Sequence, residues 1–305
     1  MTLHSDNPEF SSLLRSDSAL ACLGSPAVWA EGPVWQPDED AVIFSDVKGC
    51  KMFRWSRAEG KISLWRAASN FSNGNTLDRQ GRLISCEHGR RGISRTAHDG
   101  QVELLVDRYD GKRFNSPNDV VVKSDGSIWF SDPPYGITGD EEGFRSASQI
   151  IGCYVYRFDP ESGEVTAVAT DVQRPNGLAF SPDENVLYVA DMSIVDFPRH
   201  GRRHLLAYDV VDGNALANQR VIARIEPGIP DGFRVDYQGR LFCSCEDGIL
   251  VLTAKGHFLG KIPVPERVSN CTFGGPLQDE LFITATHSLY HIRLATHGCQ
   301  YTHLL

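Results

Sequence analysis

The sequence predicts an all-β fold, a six-bladed β-propeller with four-stranded blades. Three observations lead there. Helical periodicity is scarce, and short runs rich in Val, Ile, Leu, Phe and Tyr, split by Gly, Pro, Asp and Asn, dominate the chain. A unit built of a polar residue, a Gly or Asp, an apolar stretch, a turn and a second apolar strand recurs six times, the last copy being the weakest. The copies begin at Glu31, Asn73, Asn118, Asn176, Asp231 and Asn270, at spacings of 42, 45, 58, 55 and 39 residues, close to the ~40–50 residues of a propeller blade.

Taken in chain order, residues 1–20 read as an N-terminal extension with no assigned role and residues 21–305 as the propeller, all in one domain. A strand is expected within ALACLGSPAVWA, just before Glu31. Each copy then opens with a hairpin whose tight turn is QPDED, DRQG, KSDG, SPDEN or DYQG. A second pair of strands follows in most copies, as in KMFRWS with KISLWR and YVYRFD with EVTAVAT, where the ESGE turn needs its Gly at positive φ. The two longest spacings hold extra loops, near residues 133–150 and 192–204. The last copy has no clear fourth strand, so the N-terminal strand is expected to complete the C-terminal blade and remove a sheet edge.

Composition narrows the function. The chain has 305 residues, 41% hydrophobic and 23% charged, which suits a folded protein with a sizeable core. Lys plus Arg number 30 against 39 Asp plus Glu, a net charge of −9, the wrong sign for a nucleic-acid binder or a basic membrane-surface protein. No apolar run approaches the ~20 residues of a spanning helix, and MTLHSDNPEFSSLLRSDSAL does not look like a signal peptide. A cytoplasmic protein with no nucleic-acid or membrane partner is expected. The eight cysteines form no CxxC pair and read as reduced, mostly buried thiols. No GxSxG nucleophile motif is present.

If the repeats are blades, the six polar starters lie at one end of the innermost strands and ring one mouth of the central channel. All carry an oxygen ligand and none is Lys, Arg or His. Oxygen-only donors suit a hard divalent cation, with Glu31 and Asp231 as its two charges and asparagine carbonyls as neutral ligands. The competing reading is structural, because Asn-Gly and Asp-Gly are ordinary turn formers. The returning strands end in Asp46, Glu87–His88, Asp132, Asp191 and Glu246, which would form a second tier around the same mouth. His88 could bind substrate or relay a proton, and residues 133–150 could form a rim or lid. Against these stand a surface-loop histidine and a solvated loop.

The motifs E-G-P-V-W (Glu31 to Trp35), R-F-N-S-P-N-D-V-V-V (Arg113 to Val122), S-D-P-P-Y-G (Ser131 to Gly136), G-C-Y-V-Y-R (Gly152 to Arg157), R-P-N-G-L-A-F-S-P-D (Arg174 to Asp183) and P-D-G-F (Pro230 to Phe233) together resemble the gluconolactonase family. That family includes regucalcin and related lactone and organophosphate hydrolases. The resemblance covers roughly residues 28–300 and is nearer to the bacterial gluconolactonase branch than to animal regucalcin. It implies one divalent metal at the channel mouth, Ca²⁺ first, with Mn²⁺, Mg²⁺ or Zn²⁺ as alternatives. The family's ligands fall on Glu31, Asn176 and Asp231, and its acid/base on Asp231. Asn118 matches a position that touches metal or substrate. The arginine that binds substrate in animal members is replaced by Ser116, and Arg113 is the nearest substitute.

The function expected is metal-dependent hydrolysis of a sugar lactone, glucono-lactone first. The ion polarises the carbonyl, and Asp231 acts as acid/base on water. Substrate contacts are expected from Asn118, Arg113, Asn73, His88, Asp132 and Tyr135. The alternatives are a lactonase or organophosphate-type esterase with another substrate, or a non-catalytic propeller that binds a metal or a protein.

Overall fold

A computed structural model describes residues 7–299. Residues 1–6 of the expected extension and 300–305 of the expected propeller lie outside the described residues. Six four-stranded antiparallel sheets form the blades, and each of the first five uses consecutive strands of the chain. Their innermost strands are Ala30–Gln36, Ser72–Leu77, Val120–Val122, Pro175–Phe180 and Phe233–Val235. The sixth blade starts at Val268–Gly274 and takes its outermost strand, Ala21–Gly24, from the other end of the chain. Ala21 pairs with His291 and Cys22 with Tyr290, so the N-terminal strand closes the last blade as the sequence predicts. No helix among the described residues is long and apolar enough to cross a membrane.

The first hairpin of every blade turns through a left-handed residue, and the sixth has a second one at Gly275, φ 82°. Gly81, Gly126 and Gly239 fill that place in three of the turns, at φ of 76°, 88° and 83°. Asp40, Glu184 and Gln278 fill it in the others, at φ of 46°, 55° and 55°. All six turns thus use a left-handed residue although their lengths differ, and that residue need not be glycine. Buried apolar side chains fill the spaces between neighbouring blades, and Trp35, Trp129, Phe233 and Phe242 are among the largest of them. All eight cysteines are free, five of them buried.

The N-terminal extension has a structural role that the sequence did not show. Asn7 Oδ1 caps the short helix Pro8–Ser12 by accepting from the Glu9 N–H at 2.9 Å. The helix drives Phe10 and, just after it, Leu13 into the core of the last two blades, where they are 1% and 2% exposed beside Ile262 and Phe273. Gly260 makes the room, since a Cβ there would stand 2.3 Å from the Phe10 ring. Removal of residues 1–28 would strip both apolar anchors, each worth ~1.5–3 kcal/mol, and bare the edge of Ser288–Arg293. The truncated chain is expected to aggregate or melt far below the full chain in a thermal scan. An unchanged melting temperature would show that the ring closes without this strand.

Candidate active site at the channel mouth

The polar starters are aimed by irregular pairing. Strand register slips between Glu31 and Val34, Ser72 and Asn75, Pro175 and Leu178, and Val268 and Asn270. Each slip lifts a starter out of the regular alternation. The glycine after a starter is there for close approach. A Cβ on Gly74 would lie 2.5 Å from the Asn118 carbonyl oxygen, and the Gly74 N–H donates to that oxygen at 2.7 Å. Gly177 meets the Asp231 carbonyl in the same way, with a 3.1 Å hydrogen bond. The polar-glycine pairs thus stitch neighbouring innermost strands around the axis. The Ser269 hydroxyl, donating to the Ala30 carbonyl at 2.6 Å, joins the last blade to the first.

Glu31 and Asp231 are 5% and 6% exposed. Burial pushes the Glu31 carboxyl well above its ordinary range, and the Asp231 charge pushes it further, with smaller contributions from Asp119 and Glu142. Only the Gly32 N–H, donating to Glu31 Oε2 at 2.9 Å, acts the other way. Burial likewise raises Asp231, and the charges of Asp119 and Glu142 add to it. Arg267 and a hydrogen bond from Asn176 oppose the rise. The two carboxylates therefore repel across a desolvated space and hold protons tightly when nothing else is between them.

Asparagines complete the ring. Asn176 spends its amide nitrogen on Met192 Sδ at 2.8 Å and on Asp231, which leaves Oδ1 unspent. Asn118, 5% exposed, uses its backbone N–H on Ser131 O and its carbonyl on Gly74, and its side-chain amide bonds to no described residue. Asn270 is different, because its Oδ1 accepts from the next residue's N–H at 2.8 Å and its amide lies against Gly232. It is structural.

Beside the pair sits a group that sequence reasoning missed. Asp119 and Arg234 are each 1% exposed and 3.4 Å apart. Asp119 raises the proton affinity of both Glu31 and Asp231. The only signal in the sequence was a charge set within the apolar strands NDVVV and GFRV.

The remaining expected residues are placed less uniformly. His88 is fully buried, not on the surface; its Nδ1 meets Glu142 O at 2.9 Å and its Nε2 meets Asn73 Nδ2 at 3.3 Å. Burial lowers it to about 4, so the ring is neutral at physiological pH. Tyr135 has a buried hydroxyl with no hydrogen-bond partner among the described residues, and burial first and the Asp196 and Asp231 charges next keep it protonated. Asp132 is fully buried and raised to about 7 by desolvation. Its Oδ2 accepts from the Asn115 N–H at 2.8 Å, which anchors the loop before Asn118. Arg113 lies on a two-stranded hairpin, Arg108–Tyr109 with Lys112–Arg113, and donates to Arg90 O beside Asp107. Ser116 ties down the 133–150 segment, donating to Pro133 O at 2.6 Å and accepting from the Gly136 N–H at 2.9 Å.

Most of the expected second tier serves the chain crossings between blades. Asp46 Oδ1 accepts from Val28, Trp29 and Gly49 N–H groups at 2.9, 3.0 and 3.1 Å, and Asp191 Oδ1 accepts from Ser193 and Arg174. Glu246 is exposed and lies 3.7 Å from Arg267. The 133–150 segment is fastened over the first three blades through Lys48 to Glu141 and Glu142, His88 to Glu142, and Arg91 to Ser146.

These residues fit an oxygen-liganded divalent cation. Two buried carboxylates that repel each other are what a cation would relieve, and Asn176 Oδ1 and the Asn118 amide are neutral donors without another task. Among the described residues no three His, Cys, Asp or Glu side chains gather closely enough to hold an ion by themselves. A donor set of two carboxylates with amide oxygens would favour hard cations over thiolate- or imidazole-loving ones.

Comparison with known proteins agrees with this architecture. Residues 29–287 match the family described as SMP-30/Gluconolactonase/LRE-like region. The chain is 32% identical to a gluconolactonase of Zymomonas mobilis over 96% of its own length and 86% of that protein's. It superposes on a solved gluconolactonase of Xanthomonas campestris with a TM-score of 0.87 at 40% identity, covering 94% of this chain and 93% of that one. A calcium-binding regucalcin of Agrobacterium tumefaciens, at 17% identity and a TM-score of 0.75 over 92% and 95% of the two chains, shares the fold. With most of its length matched by the family description and by these relatives, the chain belongs to the SMP-30/gluconolactonase/LRE-like family.

Proposed function

We propose that this chain, a hydrolase of cyclic esters, opens a sugar lactone at the mouth ringed by Glu31, Asn118, Asn176 and Asp231, with D-glucono-lactone to D-gluconate as the first candidate reaction. The observation that carries the reading is the buried pair Glu31 and Asp231, both raised by desolvation and Glu31 further by the Asp231 charge, beside asparagine amides with unspent donors and acceptors. Glu31, Asn176, Asp231 and Asn118 would hold a divalent ion, with calcium favoured by the all-oxygen donor set. What such an ion supplies when bound is Lewis acidity at the ester carbonyl oxygen. Asp231 accepts a proton from the attacking water and returns one to the ring oxygen as the acyl–oxygen bond breaks. One lactone and one water thus become one hydroxy acid. The Asn118 amide and the Tyr135 hydroxyl orient substrate oxygens, and burial of the site excludes bulk water.

The test is to strip the protein with a chelator and follow acid release from D-glucono-δ-lactone, subtracting the spontaneous rate, with Ca²⁺, Mn²⁺, Mg²⁺ or Zn²⁺ restored one at a time. Activity that vanishes on stripping and returns with Ca²⁺ is expected. Full activity in the stripped protein would remove the ion from the reading. Tight ion binding without turnover would move the substrate elsewhere, and neither binding nor turnover would leave a scaffold.

A further inference from the structure

His88 and Asn73 form a connected pair whose chemistry is set by what each atom can do. Glu142 O is a carbonyl and only accepts, so His88 Nδ1, 2.9 Å away, carries a proton. The ring is wholly buried and neutral, so Nε2 is a bare lone pair. The group facing it at 3.3 Å is the Asn73 amide, which must present its N–H. That choice turns Asn73 Oδ1 the other way. Asn73 is 5% exposed, and its Oδ1 accepts nothing from the described residues. The histidine cannot swing aside, because Gly136 is packed so tightly on it that a Cβ there would stand 2.5 Å from His88 Cβ.

The result is a nearly buried acceptor of fixed orientation in the ring that also carries Glu31 and Asn118. An acceptor left unmet by protein asks for a donor from the ligand. A lactone of the sugar class offers hydroxyl donors around its ring, and a plain alkyl lactone offers none.

We propose that His88 is a positioning residue that holds Asn73 Oδ1 ready for a substrate hydroxyl, so that the pair selects hydroxylated lactones over plain ones. The inference rests on the lactone-hydrolase reading of the mouth and adds the specificity of the same site. His88 then acts through Asn73 and does not exchange protons with substrate, and Glu142, by fixing the tautomer, couples the 133–150 segment to that selection. A site built to bond a substrate hydroxyl rejects analogues that lack it, because its own polar group is left unpaired.

The experiment compares kcat/KM for D-glucono-δ-lactone with that for δ-valerolactone, the same six-membered ring without hydroxyls, in the wild type and three variants. The wild type should prefer the hydroxylated ring. His88→Leu and Asn73→Ala should each cut that preference by about 10-fold or more, mainly through KM for the sugar lactone, and the double variant should lose little beyond either. His88→Gln should keep most of the preference, since its amide can offer an oxygen to Asn73 and an N–H to Glu142 O. An equal loss on both lactones in His88→Leu would mark a structural role only and overturn the inference. Equal wild-type activity on both rings would overturn it while leaving the lactonase standing. No wild-type activity on either ring would remove the lactonase reading and this inference with it. Should His88→Leu fail to fold, nitrogen NMR of the wild-type ring decides the point. A neutral, Nδ1-protonated His88 is expected, and an Nε2-protonated one overturns the proposal.

Discussion

Asp231→Asn is expected to lower kcat/KM for lactone hydrolysis by at least ~10²–10³ while leaving the fold intact. The substitution keeps the shape of the side chain and removes both its charge and its ability to carry a proton. The backbone contacts that place residue 231, its N–H to Ser244 Oγ at 2.9 Å and its carbonyl to the Gly177 N–H, are untouched. Stability separates this loss from misfolding. Asp231 is raised from 3.8 to about 7 in the folded, cation-free protein, chiefly by burial. A carboxyl with a raised folded pKa contributes stability below its unfolded pKa and loses it as pH climbs through the folded value. The cation-free wild type should therefore weaken between about pH 4 and 7, by on the order of a few kcal/mol. The Asn variant loses the Asp231 share of that slope, while Glu31 and Asp132 keep theirs, and it should melt no lower than wild type above neutrality. Adding Ca²⁺ should reverse the wild-type trend, because an ion needs Glu31 and Asp231 both ionised, and its stabilisation should grow with pH. Melting curves across this range, with and without Ca²⁺, read all of this alongside the rate. Near-normal turnover in Asp231→Asn would take the acid/base role away from it.

Much of the fold could be read before any coordinates, for a physical reason. Each blade must start at the axis, turn tightly and return, so polar starter, apolar stretch and left-handed turn recur at blade spacing. Even turns without glycine keep the pattern, as Asp40 and Glu184 show. The closing strand was legible because the last repeat was one strand short. The insertion of Phe10 was not, since PEFSS looks polar and its apolar partners Ile262 and Phe273 lie some 250 residues away in the chain. The meaning of the polar-glycine pairs was half legible. Their recurrence pointed to one mouth, but their cause is lateral contact between neighbouring innermost strands, which no local turn rule contains. Part of the second tier serves the chain crossings instead, because a carboxylate at a strand end takes loop N–H groups as readily as a ligand, and Asp46 with its three such bonds is the plainest instance. Burial of His88 was hidden because the segment that covers it, with Glu142, is more than fifty residues downstream.

Arg234→Met is expected to destabilise the protein by about 3–5 kcal/mol, a fall in melting temperature on the order of 10 °C. Arg234 and Asp119 are both 1% exposed, so neither charge has water to fall back on. Removing the guanidinium strands Asp119 in a region where it already raises the proton affinity of Glu31 and Asp231. Three carboxylates would then share the mouth with one less cation to offset them. Asp119→Asn should also cost stability, by removing the carboxylate charge 3.4 Å from the buried guanidinium, and the double variant should recover much of either loss. The two single variants should nevertheless part company in ion binding. Without Arg234 the mouth is more negative and should bind Ca²⁺ more tightly, whereas without the Asp119 charge it should bind more weakly. A calorimetric titration with Ca²⁺ and a thermal melt on the same samples would show stability falling in both while affinity moves in opposite directions. If Arg234→Met melts within about 2 °C of wild type, or if both variants shift affinity the same way, the buried pair neither supports the channel nor sets the field at its mouth.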